Sequence, residues 1–288
     1  MSQRGFGASL FAHEFMRNAF VAGTFTGAAC GLVGWFLVLR AQVFAGDALS
    51  HVAFTGALAA AAFGIDVRIG LFVATIVVAL GMGGLGERAK ADDVTIGTVF
   101  AWILGLGALF MAIFSRSGAG ADGAAAIHVL FGSILGLSAT DTWIAVGVSL
   151  AAMGALLAIG RPLIFASLDP AVAAAQGVRV GLLGLTFLVI LGATAAEATQ
   201  AVGALLLLGL VAAPAAAAHR LARNPYRSLA LAAALAVAGV WGGLAFAYAV
   251  PRVPPSTAII VLASLVYLAA AGMDAGFRGE RIRRAREA

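Results

Sequence analysis

The sequence predicts an all-α, polytopic integral membrane protein of eight or nine transmembrane helices, and three observations carry that prediction. Only 11% of its 288 residues are charged and 62% are hydrophobic, whereas a soluble domain carries about 25% charged residues. The mean hydropathy is +1.03. Apolar runs follow one another with no polar break long enough for a separate soluble domain, so residues 1–288 read as a single transmembrane domain.

A helix needs roughly 20 apolar residues to cross the hydrocarbon core. Runs of that kind fall at 19–39, 43–63, 69–86, 94–114, 142–160, 181–199, 201–218, 229–249 and 256–273. The first run is long enough to be a full span rather than a cleavable signal. The pair 181–199 and 201–218 is nearly continuous, so a tight turn must separate them. The connections are short. The stretch 115–127, SRSGAGADGAAAI, has the glycine- and alanine-rich composition of a flexible linker, and PRVPPS at 251–256 is stiffened by three prolines.

The pI near 10.3 would suggest nucleic acid in a soluble protein, but here the arginines flank membrane spans. With the C-terminal tail placed in the cytoplasm, Arg40, Arg88, Lys90, Arg161, Arg179, Arg220, Arg223, Arg227, Arg278, Arg281, Arg283, Arg284 and Arg286 lie inside. Arg4, Arg17, Arg68, Arg116 and Arg252 lie outside. The positive-inside rule selects this orientation over its reverse. Nine spans then put the N-terminus outside despite Arg4 and Arg17, a tension relieved if residues 8–18 lie flat on the membrane.

Several activities are excluded by what the sequence lacks. A P-loop needs a lysine to reach the terminal phosphates, and the one lysine, Lys90, sits in ERAKADD with no glycine before it. Any ATPase must be another chain. HEFMR at 13–17 begins like a zinc-protease motif, but Arg17 stands where the second histidine would be. No G-x-S-x-G elbow occurs, and FAGD at 44–47 lacks the first glycine of an intramembrane aspartyl protease motif. The lone cysteine, Cys30, precludes an intrachain disulfide and a multi-thiolate metal cage. The chain does not read as an enzyme.

Ionisable side chains within a span cost about 2.5–3.5 kcal/mol each on insertion scales and usually face a partner or a water-filled path. Asp47, His51 and Glu197 fall inside apolar runs away from their ends. Spacing of four places Asp47 and His51 on one helical face, and Glu197 and Gln200, three apart, can share another. Two helices offering two donors each could close a four-ligand site of the kind that suits zinc, manganese or iron(II). The plainer alternative is that Asp47 and His51 neutralise each other while Glu197 reaches to the surface. His219 beside Arg220, and His128 at a loop edge, read as surface residues.

SLDPAVAAAQGVRV at 167–180 spells out a short helix. Asp169 is a good N-cap, Pro170 suits the first helical position and Gly177 suits the residue past the end. A two-turn helix over 170–176, on the inner side, is marginal alone and is expected to dock on something.

In order along the chain, FLVLRAQVFAGDALSHVAFTGALAA (36–60), DDVTIGTVFA (92–101), LFGSIL (130–135), LDPAVAAAQGV (168–178) and QAVGALLLLGLVAAPAAAA (200–218) resemble the signatures of a known family. That family is the membrane permeases of ABC importers for zinc, manganese and iron(II), the ABC-3 family. The resemblance implies that Asp47 and His51 lie on the metal path, with Glu197 and Gln200 facing them. It implies a divalent metal ion as transported substrate, with no permanent cofactor, and the histidine donor favours zinc first and then manganese. It further implies a second permease copy, two cytoplasmic ABC ATPases, an extracytoplasmic metal-binding protein and a bacterial inner-membrane location, with the lipid bilayer and no nucleic acid as the remaining surroundings. The helix at 170–176, marked by Asp169, Pro170, Ala173 and Gly177, then becomes the ATPase-coupling helix, its alanines and valine touching the partner. The alternative from another class is an ion- or proton-coupled secondary transporter, with Asp47 and Glu197 as relay carboxylates.

Overall fold

The computed structural model describes residues 13–85, 93–116 and 130–287. The glycine-rich stretch expected to be flexible falls there only at 115–116, and its remainder, with Arg4, Arg88, Lys90 and His128, lies outside the described residues. Among the described residues every regular element is helical. They are α1 (Glu14–Leu39), α2 (Val43–Ala62), α3 (Val67–Leu85), α4 (Asp93–Arg116), a single 3-10 turn (Ile134–Gly136), α5 (Ala139–Leu168), α6 (Pro170–Ala175), α7 (Val180–Val202), α8 (Leu207–Leu221), α9 (Pro225–Ala249) and α10 (Pro255–Glu287). Eight are long and apolar enough to cross a membrane, and α8 is a shorter apolar helix.

The flat N-terminal segment expected over 8–18 does not extend past Glu14, where α1 begins. At 26 residues, α1 is about 39 Å long and is the centre of the molecule. Gly23, Gly27 and Gly31 make one narrow stripe at intervals of four, and α9 lies against it. A Cβ on Gly31 would stand 2.5 Å from the carbonyl oxygen of Ala232. With no hydrophobic drive between helices in lipid, such small-residue stripes let backbones approach and gain dispersion contacts. Trp35 pins the C-terminal part of α1: its indole N–H donates to Ser228 Oγ at 2.8 Å and its ring stacks on His219 at 4.9 Å. His219, expected at the surface, instead sits half-buried with Nε2 3.0 Å from the Trp35 carbonyl oxygen.

The two spans expected at 181–199 and 201–218 are broken by a turn at 203–206. Gly203, at φ +93, and Gly132, at φ +73, adopt left-handed conformations that disfavour a side chain. The two glycines meet each other: a Cβ on Gly132 would lie 2.6 Å from Gly203 N. The LFGSIL segment satisfies the backbone exposed by the break. Ser133 N–H donates to Gln200 O at 3.0 Å and Leu205 N–H to Leu130 O at 3.3 Å. The 15 residues of α8 span only about 22 Å.

The span expected over 142–160 stops short of Arg161 and Pro162. Helix α5 instead absorbs the proline and continues to Leu168. Its start is fixed by a reciprocal cap: Ser138 Oγ accepts from Asp141 N–H at 3.1 Å and the Asp141 carboxylate accepts from Ser138 N–H at 3.3 Å.

Contacts sort the helix ends into two groups. Asn18 Nδ2 lies 3.5 Å from Leu137 O, so the start of α1 shares one end with the 3-10 turn, the break at 203–206 and the start of α5. At the other end Arg40 donates to Ser167 Oγ at 3.3 Å and lies 5.5 Å over the Phe187 ring, beside α6 and the Trp35–His219 stack.

Candidate functional site

Helix α2 starts after a break at Arg40–Gln42, where Ala41 takes φ +53, and Arg40 Nε donates to Gln42 Oε1 at 2.9 Å. Asp47 and His51 stand one turn apart on it, each half-buried. The His51 ring meets Phe100 of α4 edge-on, with centroids 5.1 Å apart, and Phe44 lies against the same ring at 5.7 Å. That face of α2 therefore looks toward α4. The opposite side looks toward α7: Gly46 borders a small space with Leu191, Thr194 and Ala195, while Ala53 and Ala57 pack on Ala196. Those two faces are about 120° apart around the axis.

Glu197 sits on α7 but does not look toward Asp47 and His51. It is 3% exposed, and its Oε1 lies 3.5 Å from Nη2 of Arg68, at the start of α3. The other arm of the same guanidinium, Nη1, donates to Asp141 Oδ1 of α5 at 3.0 Å. One arginine thus joins three helices at the end where α5 begins. Asp141 is well satisfied, because its second oxygen accepts from Ser138 Oγ at 2.6 Å. Glu197 is not: among the described residues its Oε2 has no hydrogen-bond partner, nor do Gln200 Nε2, Arg68 Nε or Arg68 Nη2. Gln200, one turn on, lines a cavity of about 170 Å³ with Ser133, Thr199, Val67 and Leu71.

The structure leaves the four sequence-nominated residues as two pairs, one per helix, with no hydrogen bond or ion pair between the pairs among the described residues. Among the described residues no three of His, Cys, Asp and Glu converge on a common point. Sequence reasoning did not nominate Arg68 or Asp141. Arg68 was counted only as an outer basic residue. Asp141 did carry a signal, since Ser138-x-x-Asp141 before an apolar run is a helix-start pattern, but nothing local indicates that its carboxylate also reaches across to α3.

The short helix is present as expected, α6 over Pro170–Ala175. Asp169 Oδ1 accepts from Val172 N–H at 3.0 Å, Pro170 opens the helix, and Gly177 follows it at φ +85. Its orientation corrects one expectation. Ala173, expected to touch a partner, is 0% exposed because it anchors α6 to its own chain. The outward residues are Ala171, Val172, Ala174 and Ala175, with Leu168 just before them.

Comparison with known proteins places this geometry in context. Residues 12–273 match the family described as the ABC 3 transport family. The manganese transport system membrane protein MntC of Halalkalibacterium halodurans is 29% identical over 259 residues, covering 90% of this chain and 87% of that protein. The manganese import system permease protein ScaB of Streptococcus parasanguinis is 27% identical over 256 residues, 88% of this chain and 89% of its own length. Among solved structures, PsaBC from Streptococcus pneumoniae in complex with Fab superposes with a TM-score of 0.80 at 26% identity, covering 93% of this chain and 95% of that one.

Proposed function

The chain belongs to the ABC 3 transport family, and on that premise we propose that it is the permease subunit of an ATP-driven importer of a divalent metal ion, manganese before zinc. It is a multi-pass bacterial inner-membrane protein, and permeases of this family carry no ATPase domain of their own. The observation that carries the reading is Asp47 and His51 on one face of an apolar helix. A carboxylate and an imidazole held one turn apart can replace water around a divalent ion.

In this reading Glu197 and Gln200 are the outer donors, met first, and Asp47 and His51 the inner ones. The ion arrives from an extracytoplasmic binding protein at the end where α5 begins. Carboxylate, amide and imidazole hold it weakly enough to release, which a thiolate cage would not. Two copies of the permease enclose the path, two cytoplasmic ABC ATPases drive it, and α6 receives their motion through its outward Val172 and alanines. The C-terminal tail, with its run of arginines, is cytoplasmic. The imidazole of His51 suits zinc well; what supports manganese is that several relatives are named as manganese systems.

The test is uptake into proteoliposomes holding the permease, its ATPase and its binding protein. Manganese accumulation that requires ATP and is abolished by Asp47→Ala supports the reading. Accumulation driven by an ion gradient without the ATPase would replace it with a secondary transporter, and zinc accumulation in place of manganese would reverse the order of metals.

A further inference from the structure

Arg68 is attached to its two carboxylates unequally. Its contact with Asp141 has ordinary charge-assisted length, and Asp141 is held from behind by Ser138 through 2.6 and 3.3 Å bonds. Its contact with Glu197, at 3.5 Å, is longer than the 2.7–2.9 Å of a strong ionic hydrogen bond. The second Glu197 oxygen has no hydrogen-bond partner among the described residues, and neither has the Gln200 amide nitrogen one turn away, at a cavity large enough for several waters. A buried carboxylate with one loose cation and one free oxygen is costly to leave so. One guanidinium faces two carboxylates.

We propose that Arg68 is a positioning residue: a tethered cation that occupies Glu197 in the metal-free protein and competes with the incoming divalent ion for that carboxylate. When the ion arrives, the Glu197 arm releases, because it is the weaker of the two, and Asp141 retains the guanidinium. The exchange substitutes a mobile cation for a fixed one, so the buried carboxylate is never left without a counter-charge. It also unties α7 from α3 at the outer end each time an ion binds. This inference rests on Glu197 being an outer donor of the metal path, as proposed above.

Two variants with opposite expected signs test it in the assembled transporter with manganese as the probe. Arg68→Gln removes the competitor and should lower the KM for uptake by about tenfold, in the range of coupling between linked sites. Asp141→Asn removes the anchor, leaves Arg68 wholly to Glu197 and should raise the KM by a similar factor. Arg68→Lys keeps the charge but cannot span both carboxylates, so its KM should fall between those of Arg68→Gln and the unaltered protein. A purely structural role for the cluster moves Arg68→Gln and Asp141→Asn in the same direction, and that outcome overturns the proposal. If Arg68→Gln fails to fold, Arg68→Gln with Glu197→Gln removes the unpaired charge, and its KM should then be insensitive to a further Asp141→Asn change; a KM that still rises with that change overturns the proposal. Loss of uptake in Asp47→Ala with no opposite shift in the two cluster variants removes this inference and leaves the metal permease intact.

Discussion

The two polar pairs are held in different ways. Asp47 and His51 depend on one helix: their spacing is a property of α2, and the His51 ring packs on Phe100 rather than on a charge. Glu197 depends on three helices, since its counter-charge comes from α3 and that charge is steadied from α5. The first arrangement survives any motion that keeps α2 intact. The second changes whenever α3, α5 and α7 shift relative to one another. The first pair keeps its geometry as the helices move, and the second responds to conformation.

The largest effect that separates them is loss of the α2 pair. Asp47→Ala or His51→Ala should abolish manganese uptake while leaving membrane insertion and ATPase co-purification near normal, because neither side chain ties two helices by an ion pair. A collapse of co-purification would show that the pair is structural after all. The turn at 203–206 is the next most sensitive place on the side of the cluster. Gly203→Ala forces a Cβ into positive φ and against the LFGSIL backbone, at a cost of about 1–3 kcal/mol. The melting temperature of the purified permease should fall by several degrees, with Gly97→Ala, where nothing stands within 4 Å, as the unaffected control.

At the opposite end, Val172→Glu on the outward face of α6 should weaken ATPase co-purification without changing metal affinity. Ala173→Glu should instead destabilise the permease itself, since that position is packed inside the chain; equal expression of both variants would contradict the orientation of α6. Asp169→Ala is expected to be the mildest, losing one N-cap bond worth about 0.5–2 kcal/mol and lowering coupled hydrolysis only partly.

What could be read from the residues alone was mainly what is local. The spans follow from apolar length, the α2 pair from i,i+4 spacing, and α6 from a cap, a proline and a closing glycine. Three things could not be read that way. The extension of α5 past Pro162 depends on neighbouring helices accommodating the proline, which sequence periodicity does not show. The inward turn of Ala173 depends on what α6 packs against, since any of its alanines could have been the anchor. The joining of Arg68 to Glu197 and Asp141 depends on residues 73 and 129 positions apart in the chain. For the same reason two separately recognisable stretches, LFGSIL and the start of the VGALLLLGL run, are one structural unit: the glycine of each exists to let the other approach.

Helix α5 has a mechanical consequence. Its 30 residues make a continuous rod of about 45 Å, with Asp141 at one tip and α6 jointed to the other through Asp169. A rod of that length turns small rotations into long strokes. A tilt of about 5° about the inner tip carries the outer tip roughly 4 Å, more than the 3.0 Å that separates Asp141 from Arg68. A tilt of that size about the α6 end would therefore part Asp141 from Arg68, with Pro162 marking where along the rod the stroke can be absorbed instead of passed on.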